Sequence, residues 1–541
     1  MAQRFWVGGT GNWSSTAHWS TSSGGSTGAS VPTISDDVIF DVNSFSGSGQ
    51  TVSIDVAAVA LSITYSGITQ TNNVIQVNST KSLSVVGTIS ITGHSIADRL
   101  RLCCPARGTS VSVSAGLWVN SNVDFEDIAC SGPGMTNTDI TGDLGGNSGT
   151  FIGRTPRTLY WFKDTGNYSN TALWGNSSGI ANANTIPLPQ DTARFDANSF
   201  SAGGKTVTMD VTRRAGCNWT GHTNSPTFNL SVAQQIYSTE TLTQALSLSG
   251  AGSLTLMGRN MQFVTAERGN TAWIIDCANG TCDLIGSYRV SSSNVLNITS
   301  GTFNSNNNFI TAGGITCGPI LPIMATINLG RSIIVINLNG GNGNPLNLAG
   351  GSNSPATGLT VNASQATWIL TGVTSGNYIF RISAINLGRL IVGSTGGGSI
   401  TFAVNTSGTL TLAVDTLAPP FALKFNNAAT IAITDWRARG LPGKLITLQS
   451  TINGTPYLMT NPNKIVLVGD YLSIQDSHAD VAGLWYAGAN STNVSGNTNW
   501  IFTGHRRGSI GRTVIAQGGR TTVAQGTRTS VAQGGRTVVP V

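Results

Sequence analysis

The strongest constraint on this chain is that it spells out the same opening twice. Residues 6–56 align without a gap to residues 161–211, at a constant offset of 155. Trp6 matches Trp161, Gly11-Asn12 matches Gly166-Asn167 and Trp19 matches Trp174, while Trp13 is replaced by Tyr168. "FDVNSFSGSGQTVSIDV" then matches "FDANSFSAGGKTVTMDV". This carries Asp41 and Asp55 onto Asp196 and Asp210, just as Asp36 is carried onto Asp191. Self-similarity at a fixed offset marks a repeat architecture, in which each copy meets the same local structural need. The two copies also close alike. "VDFEDIACSG" and "GDLGGNSGTF" end the first, and "YLSIQDSHAD" and "ANSTNVSGNTNWIF" end the second. Asp127 precedes Gly146 by nineteen residues, and Asp476 precedes Gly496 by twenty. The chain therefore divides into a first β module over 1–153, a longer second module over 158–503 and a tail over 504–541, with "GRTPRT" as the joint.

Between these signatures run short alternating segments such as "TVSIDV", "VIQVN", "VSVSAGLWV", "TINLG" and "TIAITDW". Period-two alternation bounded by Gly, Asn and Ser is the pattern of strands and turns. No useful length of the chain shows helical periodicity. Charged residues are only 10% and glycines number 67, so any core is spread thinly along a turn-rich chain. The expectation is an all-β protein of two β-solenoid-like modules with an extended C-terminal tail; β-sandwich modules are the alternative. The last coil of a solenoid exposes apolar core and unpaired backbone, and therefore needs a cap. Trp6, Trp13 and Trp19, and again Trp161, Tyr168 and Trp174, stand where each module begins. They are expected to form module caps. Aromatics this dense in polar surroundings also suit contact with a glycan, which is the second reading.

The basic charge has one address. Arginines 506, 507, 512, 520, 528 and 536 lie in the tail with no acid, and they account for the whole net charge of +6. Arg512, Arg520, Arg528 and Arg536 head octapeptide units in which Ile515, Val523, Val531 and Val539 recur at one phase. "RTTVA" favours extended backbone and "QGG" favours a turn. Thirty such residues cannot bury a core alone. These eight residues are therefore expected to serve assembly or docking. Either three copies intertwine, or the segment adds strands to another protein's sheet edge with arginines facing an acidic surface. A disordered basic tail is the bland alternative. Nucleic acid is disfavoured, because the tail has no aromatic to stack on bases.

Glycoside hydrolysis requires two carboxylates at a defined separation. The candidates are Asp124, Glu126, Asp127, Glu240 and Glu267. Asp127 has a counterpart in Asp476, and the opening aspartates are duplicated, so turn and cap roles are favoured over catalysis or calcium. His18, His94, His222, His478 and His505 are dispersed. No nucleophile-elbow, metalloprotease or phosphate-loop pattern occurs. No catalytic, cofactor-binding or metal-binding residue is assigned, and a non-enzymatic protein is expected. The seven cysteines lack zinc-site spacing and are expected to be buried free thiols. "MAQRFWVGG" does not read as a secretory signal, and no apolar run is long enough for a membrane span.

"FWVGGTGNWSSTAHWS", "DDVIFD", "GTFNSNNNFITAG", "LSIQDS" and "WYAGANSTNVSGNTNWIF" together resemble a family of β-rich repeat proteins. The family occurs in bacteriophage virions, as tail fibre-like and structural proteins, and among bacterial surface proteins. The resemblance covers about residues 1–503, and "FKDTGNY" departs from it at the second opening. It implies a structural virion component, most simply a tail fibre or other projecting appendage, made in the host cytoplasm and located in the virion. Its implied partners are itself, as a homotrimer, other virion proteins and a host surface glycan, without a membrane. A polysaccharide-degrading tailspike is the alternative, followed by a capsid decoration protein or a bacterial surface adhesin.

Overall fold

The computed structural model describes residues 2–504, except 136–139, 151–154, 163, 243–245, 266–267, 270–271, 318–324, 339–344, 349–357, 374–375, 383–384, 395, 405–408 and 428. It also describes three strands between 513 and 531. The fold is all-β and forms a β-solenoid of about 18 turns. Strands stack in parallel, one coil on the next: Val52 pairs with Ile75, Leu102 with Phe125, and Phe402 with Phe425. Parallel stacking sets aside the β-sandwich alternative, whose sheets are antiparallel. Burial follows the pleat. In Thr51–Ile54, Ser62–Tyr65 and Val74–Val77 every second side chain is buried, because alternate Cβ atoms point to opposite faces.

Strands between Gln3 and Gly149 pair only with one another, in sheets of nine and six strands. Strands between Thr158 and Ile501 pair among themselves, mainly in sheets of 21 and ten strands. Each set encloses its own hydrophobic core. Two strands that break the alternation face one another. Val123–Glu126 is buried on both faces, and Arg213-Arg214 in the second set is likewise buried at both positions. A strand closed on both sides has something packed against its outer face. Here that is the other module.

The tail strands Thr513–Gln517, Arg520–Gln525 and Arg528–Val531 form a three-stranded antiparallel sheet within one chain. Ile515 pairs with Thr522, and Val523 with Val514 and Ser530. The sequence reading expects pairing across chains. Here Gln517 pairs with Arg520, and Gln525 with Arg528, within the same chain. Arg512, Arg536 and Val539 lie outside the described residues.

Candidate functional site

All six opening aromatics are buried, and none presents a ring face to solvent. Trp6 pairs with Trp19 across a short antiparallel bridge, and their rings meet edge to face at 5.1 Å. Trp161 and Trp174 repeat this geometry at 5.1 Å. Trp19 Nε1 donates to the Trp13 carbonyl at 2.7 Å, and Trp174 Nε1 donates to the Tyr168 carbonyl at 2.9 Å. Trp13 is 1% exposed and its replacement Tyr168 is 0% exposed. The glycan-contact reading needs an open ring face, and these residues do not offer one. His18, one of the five dispersed histidines, has a packing role: it stacks on Trp6 at 4.9 Å. A Cβ on Gly11 would meet the His18 ring, and one on Gly166 would meet Leu173, the residue at the equivalent place. The repeated Gly-Asn step therefore makes room for the cap's neighbour.

The duplicated aspartates hold turns. Asp55 takes the Ser14 N–H and hydroxyl, and Asp210 takes those of Ser169. Asp36 accepts from Thr33, and Asp191 accepts from the Leu188 N–H. Asp41 and Asp196 accept from Asn43 and Asn198 two residues on. Among the described residues no cluster of three or more His, Cys, Asp or Glu is placed to hold a metal ion. All seven cysteines are buried and free.

The closing signatures are one structure used twice. Asp127 and Asp476 both adopt positive φ, and each accepts an N–H at 2.8 Å, from Gly108 and Gly454 respectively. Asn147 accepts from Ile128 and donates to the Phe125 carbonyl, as Asn497 does with Ser477 and Ile474. A Cβ on Gly146 would lie 1.9 Å from Asp127 Oδ1, and one on Gly496 would lie 2.1 Å from Asp476 Oδ1. Gly146→Ala and Gly496→Ala are each expected to cost about 1–3 kcal/mol through the positive φ, with the clash added. Thermal melting of the two variants checks this.

The candidate carboxylates then divide from their counterparts. Asp124 is fully buried between Arg99 Nε at 2.5 Å and Arg213 Nε at 2.7 Å, one arginine from each module. Arg99 Nη2 donates to the Arg213 carbonyl at 2.9 Å, and Arg213 returns a bond to the Arg99 carbonyl. Glu126 holds Arg101 at 2.5 Å and Arg107 at 2.7 Å. Arg107 continues across the boundary to the Met257 and Asp276 carbonyls and to the Asp276 carboxylate at 2.6 Å. Asp127 takes Arg259 of the second module at 2.5 Å. Gln190 closes the edge, accepting from the Asp143 N–H and donating to the Thr141 carbonyl, both at 3.0 Å. Leu144 packs on Tyr237 and Met257 beside this network. Asp124, Glu126 and Asp127 thus form the charged seam between the modules. Glu240 is buried against Arg214 at 2.9 Å inside the second module, and Glu267 lies outside the described residues.

Buried charges survive only when fully paired and hydrogen-bonded. Burial pushes the Asp124 carboxyl upward, but Arg99 and Arg213 outweigh it and hold the group below the usual carboxylate range. Asp127 is raised by burial despite its Gly108 and Arg259 partners. The signs differ. Asp124 contributes stability that is present above its unfolded value of about 3.9 and is lost as pH falls through its lower folded value. Asp127 gains stability on protonation, so it does not open the seam on acidification. The modules are therefore expected to stay docked at pH 5 and to separate only well below pH 4. Small-angle scattering across that range checks this.

Sequence reasoning singled out these acids but missed Arg99, Arg101, Arg107, Arg213 and Arg259. One sign was readable. Arg99 and Arg101 alternate with leucines just as Asp124 and Glu126 alternate with apolar residues, and the two strands are neighbours, with Arg101 paired to Asp124. No family model matches the chain, and no curated protein or solved structure does so.

Proposed function

We propose that this chain is a non-enzymatic structural component of a bacteriophage virion, a tail fibre or similar projecting appendage assembled as a homotrimer. In this reading the body is a stiff β-solenoid and the arginine-repeat tail docks it to other virion proteins. The observation that supports it is the seam. The acids best placed in sequence for sugar cleavage are spent instead on locking two solenoid modules together, as a load-carrying rod requires. Stacked parallel coils and tryptophan-filled openings add stiffness. The charge asymmetry supports the tail's part, since a neutral body carrying a basic end suits docking onto an acidic surface.

Deleting 508–541 is expected to abolish incorporation into particles while leaving the body folded; unchanged incorporation would sink the tail's role. The depolymerase alternative predicts new reducing ends when the protein is incubated with host surface polysaccharide. Release that disappears on changing Glu126 or Glu240, in variants that still fold, would overturn the structural reading.

A further inference from the structure

Three successive coils of the second module turn one corner, and a cavity of about 380 Å³ opens there. The chain leaves Thr409–Ala418 for Phe421–Phe425, then Thr430–Trp436 for Ile446–Ser450, then Tyr457–Thr460 for Leu472–Gln475. Each time it passes from the ten-stranded to the 21-stranded sheet. The corners are pinned to one another. The Arg439 N–H donates to Thr416 Oγ1 at 3.1 Å, and the Gly440 N–H donates to the Asp470 carbonyl at 3.0 Å. Leu417, Leu441 and Tyr471 give the cavity apolar and aromatic walls, and Arg437, Arg439 and Asp470 give it charge. Arg437 is held by Asp435 at 2.7 Å. Asp470 accepts from the Asn490 N–H and from its side-chain amide. The Arg439 guanidinium has no hydrogen-bond or ion-pair partner among the described residues.

The closing frame supplies a second, independent observation. Matching Asp127 with Asp476 places Ser473 where the first module has Asp124, Gln475 where it has Glu126 and Tyr471 where it has Asn122. Asn122 and Tyr471 both lie in the left-handed region, at φ 53° and 54°. Their carbonyls accept the N–H groups of Leu100 and Ile446, so the turn is the same in both modules. This region suits asparagine and is strained for a bulky aromatic. Among the described residues Tyr471 is the one aromatic with positive φ. The second module therefore gives up the easy residue and sets a ring at the wall of the cavity. Strain of this kind is kept where a side chain serves function.

We propose that this corner is a binding site for a carboxylate-bearing sugar. The volume is that of a small-ligand cleft, in which a few placed polar groups fix orientation. An unpaired guanidinium beside a second arginine suits a carboxylate. The Tyr471 ring and the two leucines suit the C–H face of a pyranose, and the Asp470 carboxylate accepts from its hydroxyls. A neutral sugar would leave Arg439 without a counter-charge. A bare inorganic anion would leave Tyr471, Leu417 and Leu441 uncovered. The proposal stands on this corner alone and does not rest on the virion reading.

The test is saturation-transfer NMR of the full chain titrated with glucuronate or N-acetylneuraminate, with glucose and inorganic phosphate as competitors. At least one of the two acidic sugars is expected to bind saturably, and neither competitor is expected to displace it at equal concentration. Arg439→Gln is expected to weaken binding about tenfold, as the loss of one charge-assisted contact does. Tyr471→Asn, which installs the first module's residue, is expected to abolish binding while melting no lower than the parent, because it relieves the strained turn. Lost binding with undiminished stability is what a merely structural tyrosine would not give. Binding unchanged in both variants overturns the site, and so does a Tyr471→Asn variant that melts lower. Phosphate that displaces the sugar at equal concentration overturns the sugar assignment. Absence of saturable binding by either acidic sugar overturns the proposal. None of these results bears on incorporation into particles, which tests the virion reading separately.

Discussion

Asp124→Ala is expected to destabilise the docked state by about 3–5 kcal/mol, the usual cost of removing one partner from a buried ion pair. The size follows from what is left behind. Arg99 and Arg213 are both nearly inaccessible in the seam, and neither finds water when the carboxylate is gone. Ser473→Ala, at the equivalent place on the second module, is expected to fall within about 0.5 kcal/mol, the range of ordinary surface changes. Thermal melting read together with small-angle scattering separates the outcomes. Asp124→Ala should lower the melting temperature and let the modules part, and Ser473→Ala should do neither. Equal, mild effects at both positions would mean that packing of Leu144, rather than charge, holds the modules together.

Trp19→Ala is expected to cost about 3–5 kcal/mol, and Trp174→Ala the same at the start of the second module. Each indole is fully buried and donates its Nε1 hydrogen to a backbone carbonyl; Trp19 meets two aromatic neighbours edge to face and Trp174 meets three. Truncation opens a cavity in the coil that opens each module. The loss should be local, seen as faster hydrogen exchange in 3–40 for Trp19→Ala and in 158–195 for Trp174→Ala. Trp13→Tyr, the exchange the chain itself makes at Tyr168, should cost at most about 1.5 kcal/mol. Trp13 Nε1 is buried without a hydrogen-bond partner among the described residues, so no bond is lost with it. Equal losses in Trp13→Ala and Trp19→Ala would show that ring volume alone, and not the Trp19 hydrogen bond and pairing, makes the cap.

The candidate site was half legible. Asp124, Glu126 and Asp127 stood out as acids in a chain with few, and the duplication already set Asp127 apart as a turn residue. The duplication also held a finer clue. Ser473 and Gln475 take the places of Asp124 and Glu126, so the closing turn itself needs neither acid and both serve something else. What they serve was out of reach. Arg213 lies 89 residues from Asp124, and Arg259 lies 132 residues from Asp127. Local pattern carries no information about pairs that far apart unless both sides show it.

The sequence by itself determined the all-β class, the strand and turn periodicity, the two matching openings and the two matching closing turns. These depend on side-chain alternation and on contacts within a coil or its immediate neighbour, and such contacts leave a period in the chain. Only the tertiary structure decided that the opening aromatics face inward, that the arginine-repeat strands pair within one chain, and that Arg213 and Arg259 of the second module meet Asp124 and Asp127 of the first across a seam. The physical reason is distance along the chain. A solenoid writes its coil-to-coil contacts at short, regular spacing, but the face that one module turns to another is set by how the two bodies dock. That docking is fixed by a few buried charges whose partners share no period.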